Sequence, residues 1–381
     1  MRITIVIPSF YPAVVYGGPI FSTLNTCKAI AQKEHKLQVL TTNTNMYDRL
    51  KVPMNEWVDL EGFKVKYFNE TKVGVFSLGL LFGMWRHIKK TEIVHIQAIF
   101  NTPTPMALLA ATWYRKPIIL SPRGVLGSWV MGQGSRFKKL WLRFLIRPFI
   151  NKIVWHATAQ QEKEEILFHF PSATIEIIPN GIDLQAFSGK PWLSKKEYLL
   201  KYLGIEFSND VSIITSLGRL HEKKGFNFLI DSMLEMDASV ILLIGGQDEG
   251  ELIKLKKQVV DHKLENSVFF VGEISAEQKK EFLIHSDVFA LTSHNENFGN
   301  VYAEALACGI PVVASKYTPW EEVEEYECGR WVDLDQKQIV SALKDLLTDT
   351  SNKSDHARLF IRQYAWEGIG AKFIALYKRL L

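Results

Sequence analysis

The chain has 381 residues, of which 47% are hydrophobic and 23% charged. That composition excludes a disordered or fibrous chain, and the length favours two domains over a single core. The formal net charge of +4 hides two unlike halves: residues 1–185 carry 22 Lys+Arg against 12 Asp+Glu, and residues 186–381 carry 23 against 29. A basic first half suits a partner that bears phosphates or an anionic surface. With no RNP signature or recognition-helix motif, lipid is favoured over nucleic acid. Cys27, Cys308 and Cys328 form no CxxC pair, which points to a reducing compartment without a zinc site.

In chain order, MRITIVIPSF reads as a strand and lacks the basic region, long apolar run and cleavage site of a signal peptide. Strands are expected at 3–7, 37–41, 63–67, 93–96, 118–120, 153–156 and 175–178, then at 212–216, 240–244, 268–271, 288–291, 312–314 and 329–332. Helical patterns fit between most of them, the signature of parallel sheets with crossover helices. The longest nearly apolar stretch, Val73 to Trp85, is too short to span a bilayer. Two such series predict two doubly wound domains facing a cleft. The boundaries expected are 1–185, 186–365, and a final helix at 366–381 packing back across the junction. Pro179-Asn180-Gly181 supplies the turn at which the chain leaves the first domain, and a polar, strandless stretch follows to about Asn209.

Several stretches carry chemistry. After the first strand, Gly17-Gly18 opens a helix of about sixteen residues by its pattern. Paired glycines let a ligand approach the backbone, and a helix start favours an anion, although a plain flexible turn fits equally. Gly134 to Lys152 interleaves six basic residues with Trp141, Phe144 and Phe149. That mixture fits either a helix lying on an anionic bilayer or a crossover helix with a solvated basic face. In SLGRLHEKKG, Arg219 and Lys224 follow a strand and precede a helix near Phe226. They suit a diphosphate clamp, with Lys223 a competitor for the role, while spacing alone fits a solvated basic turn better.

In HNENFGNVYAEALACG, Glu304 is the single charge in a helix that is otherwise apolar all round. A buried carboxylate needs a partner, and this one suits a pair of sugar hydroxyls; contact with solvent or an arginine is the alternative. Glu296 lies eight residues upstream in the loop. Two other acidic clusters suggest metal sites but have simpler readings. Asp335 reads as the N-cap of a helix beginning at Gln336, and GGQDEGE as a strand-end turn whose acids open the next helix.

Together, Gly17-Gly18, IPNGID at 178–183, GRL at 218–220, KG at 224–225 and the E-x7-E pair Glu296/Glu304 resemble the retaining glycosyltransferases of family 4, which have the GT-B fold. Order and spacing fit along almost the full chain. The resemblance implies a nucleotide-sugar donor whose diphosphate is neutralised by Arg219 and Lys224. Glu304 would hold the ribose hydroxyls and Glu296 would face the transferred sugar. Phe298, Gly299, Asn300, Gly17, Gly18 and Asn180 would line the donor. It further implies no required metal or cofactor and attack from the leaving-group face, a phosphate oxygen taking the proton. One departure stands out: where relatives carry His-x-His, this chain has His95 but Gln97, and an amide carries no proton near neutral pH.

SPRGVLGSW, TPWEE and ECGRW resemble relatives that build bacterial surface polysaccharides, whose acceptors are often lipid-linked saccharides. Arg123 and Gln97 would then stand on the acceptor side. The expected protein is cytoplasmic, with peripheral membrane contact through residues 134–152. Two other readings are a GT-B sugar-nucleotide epimerase and a catalytically silent glycosyltransferase-like subunit. Gln97 favours the silent subunit; Arg219, Lys224, Glu296 and Glu304 oppose it.

Overall fold

A computed structural model describes residues 1–32, 35–70, 76–132, 136–204, 206–207, 211–348 and 353–381. Gly134 and Ser135, residues 73–75 and Asn209, all within stretches singled out above, lie outside the described residues. The chain divides into two compact units, Met1–Gly181 with Trp366–Leu381, and Ile182–Ala365.

The first unit is built on β1 (Arg2–Ser9), β2 (Lys36–Thr42), β3 (Thr44–Asn45), β4 (Asp48–Arg49), β5 (Trp57–Leu60), β6 (Phe63–Phe68), β7 (Ile93–Gln97), β8 (Ile118–Ser121), β9 (Ile153–Ala157) and β10 (Thr174–Ile177). Its main sheet runs β10-β9-β8-β7-β1-β2-β6-β5 and is parallel except where β5 pairs with β6. β3 and β4 form a separate antiparallel ribbon. Sequence reading misses β3, β4 and β5, because they are short and little buried. For β5 a signal exists: Glu61 (φ 52°) and Gly62 (φ 94°) form a two-residue turn with both φ positive, the geometry that joins antiparallel strands.

The central strands are buried along their length because helices cover both sheet faces. On one side, the Trp366–Leu380 helix lies along the Gly18–Ala31 helix, with Gly370 against Ala29. It adds Ile369, Phe373, Leu376 and Tyr377 to a core containing Ile3, Ile5 and Ile30.

The second unit contains β11 (Ser212–Leu217), β12 (Val240–Gly245), β13 (Val268–Gly272), β14 (Val288–Leu291), β15 (Val312–Ser315) and β16 (Gly329–Val332). The order is β13-β12-β11-β14-β15-β16, parallel throughout. Sequential strands proceed outward from β11 in one direction and from β14 in the other. The strand order therefore reverses between β11 and β14, and in such sheets ligands bind beyond the carboxyl ends at that reversal. The first unit reverses in the same way between β1 and β7. Arg219, Lys224 and Glu296 follow β11 and β14, Gly17-Gly18 follows β1, and Gln97 ends β7, so each unit carries its candidate residues at its own reversal.

The Gly134–Lys152 stretch resolves from Arg136 onward into a short helix, a π turn at Leu142–Ile146 and 3-10 turns at Arg147–Lys152. Leu142 and Ile146 enter the core, whereas Phe137 and Phe144 are each 62% exposed and Leu140 is 50% exposed. Core packing and an exposed basic-aromatic face therefore coexist in one segment. Among the described residues, no helix is long and apolar enough to cross a membrane.

Candidate active site

In the second unit, β11 ends in Gly218-Arg219-Leu220. Backbone bonds tie this turn to the one after β12: Gly218 N–H donates to Gly245 O (3.0 Å) and Leu220 N–H to Gln247 O (2.8 Å). Gly246 (φ +146°) must be glycine here, since a side chain would run into Gly218 O. The Arg219 guanidinium, 58% exposed, holds both oxygens of Glu249 through one nitrogen, at 2.7 and 2.9 Å. Of the acids read as opening the next helix, Asp248 does so, accepting from the N–H groups of Gly250, Glu251 and Leu252. Glu249 instead restrains Arg219.

Lys224 closes a short turn, Glu222–Lys224, ahead of the Phe226–Ser232 helix. Gly225, left-handed at φ +65°, fits against Thr292 O, and Thr292 Oγ1 donates back to Gly225 O (2.6 Å). His294 N–H donates to Lys223 O (2.8 Å). The turn after β11 is thereby locked to the loop after β14, which brings Lys224 Nζ to 2.5 Å from Glu296 Oε1; their side chains are 16% and 12% exposed. Ser293 Oγ donates to the same carboxylate oxygen (2.8 Å). Burial pushes the Glu296 carboxyl up, but Lys224 and the Ser293 hydroxyl outweigh it and hold the group below its ordinary range, so it is ionised at neutral pH.

Gly299 (φ +77°) turns the chain into the Asn300–Ala307 helix. This helix is buried as its apolar pattern predicts, with Tyr302 OH donating to Leu291 O (2.5 Å) and Arg358 reaching the Cys308 carbonyl (2.9 Å) at its carboxyl end. Phe298, expected to line a ligand, is 4% exposed and packs on Trp320 and Tyr364; its carbonyl accepts from Trp320 Nε1 (2.6 Å). The ring therefore packs inside the second unit and secures the helix entry, where a ligand-lining side chain was expected.

Glu304 has a partner that sequence reasoning missed. Lys279, from the Ala276–Ile284 helix, bonds Oε1 at 2.9 Å. The other oxygen, Oε2, has no exposed surface and no hydrogen-bond partner among the described residues. No local signal marks Lys279, which is one of two adjacent lysines on its helix and meets Glu304 only through packing. Asp335 caps the Gln336–Thr348 helix as expected, accepting from Gln338 N–H (3.0 Å), and Asp333 pairs with Lys316 (2.9 Å).

In the first unit, Gly17 (φ +64°) is the N-cap of the Gly18–Ala31 helix, and a side chain built on it would meet nothing within 4 Å. Its glycine therefore serves the backbone conformation, leaving Gly18 exposed at the helix start. His95 and Gln97 are both buried on β7. His95 Nδ1 lies 2.8 Å from Tyr377 OH, and its Nε2 lies 2.7 Å from Ser121 Oγ and 3.0 Å from Gln97 Nε2. Ser121 Oγ continues to His156 Nδ1 (2.7 Å), whose other nitrogen meets Ile178 O (2.8 Å).

Desolvation holds both histidines neutral: His95 falls well below its ordinary value and His156 to about 3, with the Arg123 charge adding to the effect at both. Gln97 Oε1 accepts from Arg123 Nε (2.8 Å), and Arg123 Nη1 donates to Asn180 Oδ1 (3.2 Å). Gln97, Arg123 and Asn180, distant in sequence, thus form one cluster within this unit.

Residues 16–186 match the family model described as Glycosyltransferase Family 4, and residues 205–363 match that of Glycosyl transferases group 1. The GDP-mannose-dependent monoacylated alpha-(1-6)-phosphatidylinositol monomannoside mannosyltransferase of Corynebacterium glutamicum is 28% identical over 245 residues, covering 60% of this chain and 60% of that protein's length. The O-antigen biosynthesis glycosyltransferase WclY of Escherichia coli is 23% identical over 324 residues, covering 82% of this chain and 80% of the relative. Anabaena HepE, solved in complex with UDP, shares the fold with a TM-score of 0.78 across 100% of both chains at 19% identity. The paired parallel sheets with reversed strand order and the two matched regions lead to one conclusion: the chain belongs to the family 4 glycosyltransferases and has the GT-B fold.

Proposed function

We propose that the chain transfers a sugar from a nucleotide-sugar donor to a saccharide or lipid-linked saccharide acceptor, with retention at the anomeric carbon, in bacterial surface-polysaccharide synthesis. The observation that carries this reading is the Lys224–Glu296 pair at the reversal between β11 and β14. There, a cation and an ionised carboxylate are held where a ligand binds in such sheets. Arg219 adds a second, more exposed cation on the same turn. On donor arrival the two cations exchange their carboxylate partners, Glu296 and Glu249, for diphosphate oxygens. Glu296, once released, accepts hydrogen bonds from sugar hydroxyls.

Glu304 Oε2, without a hydrogen-bond partner among the described residues, accepts from a ribose hydroxyl, while Lys279 holds Oε1 in place. Phe298, Gly299 and Asn300 present backbone toward the donor. When the anomeric C–O bond breaks, its electron pair goes to the diphosphate, and Arg219 and Lys224 stabilise that charge. The acceptor oxygen bonds to the same face of the carbon and its proton passes to a phosphate oxygen, so neither a protein nucleophile nor a metal is required. UDP is bound in HepE and GDP-mannose is named for the Corynebacterium relative, so neither base is preferred.

The test begins with nucleotide sugars screened for protection against thermal unfolding, since a ligand that binds only the folded state raises its stability. NMR then follows the anomeric configuration of the product formed with a saccharide acceptor. Retention is expected. An inverted product, or conversion of the donor to an epimer without any acceptor, overturns the assignment.

We also propose a cytoplasmic protein that touches the inner membrane face through the segment 136–152. The support is the exposed Phe137, Leu140 and Phe144 interleaved with Arg136, Lys139 and Arg143. Co-sedimentation is expected with liposomes containing anionic lipid and should fade as salt rises. Equal sedimentation with neutral liposomes, or none, removes this contact.

A further inference from the structure

The Arg123 side chain shows a feature that neither the fold nor the donor site explains. Its Nε donates to Gln97 Oε1 and its Nη1 to Asn180 Oδ1, while Nη2 has no exposed surface and no hydrogen-bond partner among the described residues. A guanidinium is always charged, and a buried donor left unmade costs about 1–3 kcal/mol, so such an atom needs an explanation. The backbone points the same way. Arg123 (φ +63°) and Gly124 (φ +72°) are consecutive left-handed residues, and for arginine that conformation is strained.

The surroundings hold this strained turn in place. Gly124 N–H donates to Glu162 Oε1 (2.7 Å), while Glu162 Oε2 accepts from the N–H (2.7 Å) and hydroxyl (3.0 Å) of Thr158. Gln97 is itself anchored through His95 to Tyr377 and Ser121. The guanidinium is therefore fixed at two of its three nitrogens, with the third held ready for a ligand.

We propose that Arg123 is the anion-recognition residue of the first unit, binding through Nη2 a carboxylate or phosphate oxygen on the acceptor, and that Gln97 positions it. A charged donor forms its strongest hydrogen bond with an anionic oxygen. A uronic acid and a sugar or lipid phosphate both present one. The naming of the acceptor rests on the transferase reading; the anion site itself does not. In this arrangement Gln97 has a task of its own, since the amide oxygen accepts from Arg123 while its NH2 faces His95.

The experiment uses the full chain carrying Arg219→Ala and Lys224→Ala, which silences the cations of the second unit. Inorganic phosphate and glucuronate are titrated separately by calorimetry. At least one is expected to bind, and adding Arg123→Gln should weaken it about tenfold, the effect of losing about 1.4 kcal/mol. Gln97→Ala should weaken it several-fold without unfolding the chain, which keeps the test decisive if the arginine variant fails to fold. Binding of phosphate alone identifies a phosphorylated acceptor, and binding of glucuronate alone identifies a uronate. Absence of binding by both probes, or affinities unchanged by Arg123→Gln and Gln97→Ala, overturns the proposal.

Nucleotide affinity is measured in parallel on the chain with Arg219 and Lys224 intact and should be unaffected by Arg123→Gln. A parallel loss would make Arg123 a donor contact and overturn its assignment to the acceptor. Failure of the unaltered chain to bind any nucleotide counts against the transferase reading instead, whatever the anion titrations show.

Discussion

Glu304 is the residue at which expectation and structure meet most closely. Its position in an apolar helix signals a carboxylate that needs a partner. The structure supplies one for a single oxygen, from Lys279, and leaves the other without a partner among the described residues. If Oε2 accepts a ribose hydroxyl, Glu304→Ala weakens nucleotide binding about tenfold or more, since a hydrogen bond to a charged group contributes about 1.5–3 kcal/mol. Calorimetry with each nucleotide bound by the parent checks this, and unchanged affinity for all of them removes the assignment. Arg219 and Lys224, equal candidates in the sequence, differ in the fold: one is exposed on Glu249 and the other enclosed with Glu296. That difference arises from Gly225 and Thr292, which draw the lysine turn inward.

At the scale of elements, the loop after β14 and the helix it enters are held by side chains that never face a ligand. Trp320 Nε1 bonds the Phe298 carbonyl, and its ring packs on Phe298, Tyr302, Phe360 and Tyr364. Trp320→Phe keeps an aromatic ring but orphans that buried carbonyl. It is expected to destabilise the protein by about 1–3 kcal/mol and to weaken nucleotide binding by loosening the helix entry. Urea denaturation together with calorimetry checks both; a fully stable variant with normal affinity would show that the loop holds itself. Most of the strands were legible because parallel strands covered on both faces read as short apolar runs. β3, β4 and β5 were not, because a short or half-exposed strand lacks that contrast.

At the scale of the molecule, the buried His95–Ser121–His156 relay makes stability depend on pH. Both histidines have folded values far below the ordinary one, chiefly through desolvation. An unfolded chain binds protons at these sites below about pH 6.5, whereas the folded chain does not until far lower. Their contribution is therefore complete above about pH 6.5 and is lost as pH falls from there, for His156 down to about 3 and for His95 in the same direction. Urea midpoints should drop between pH 7 and pH 5, and His156→Gln should flatten that slope. An unchanged slope would mean that His156 is already charged in the folded protein. Glu296, held below its ordinary range, adds acid sensitivity only at lower pH, since its stabilisation is present above about pH 4.5 and is lost as pH falls through its lower folded value.

The sequence by itself determined the two α/β series, the final helix and the positions of Gly17-Gly18, Arg219, Lys224, Glu296 and Glu304. Hydrophobic period, turn residues and ordered motifs are all local in the chain, so they can be read from it directly. Only the tertiary structure decided which polar side chains meet. Lys279 with Glu304, Glu249 with Arg219, and Gln97 with Arg123 and Asn180 come from separate elements that crossover helices bring to the carboxyl ends of the strands. Pairing of this kind depends on strand order and on which side chains are denied water, and neither is written in any short stretch of residues.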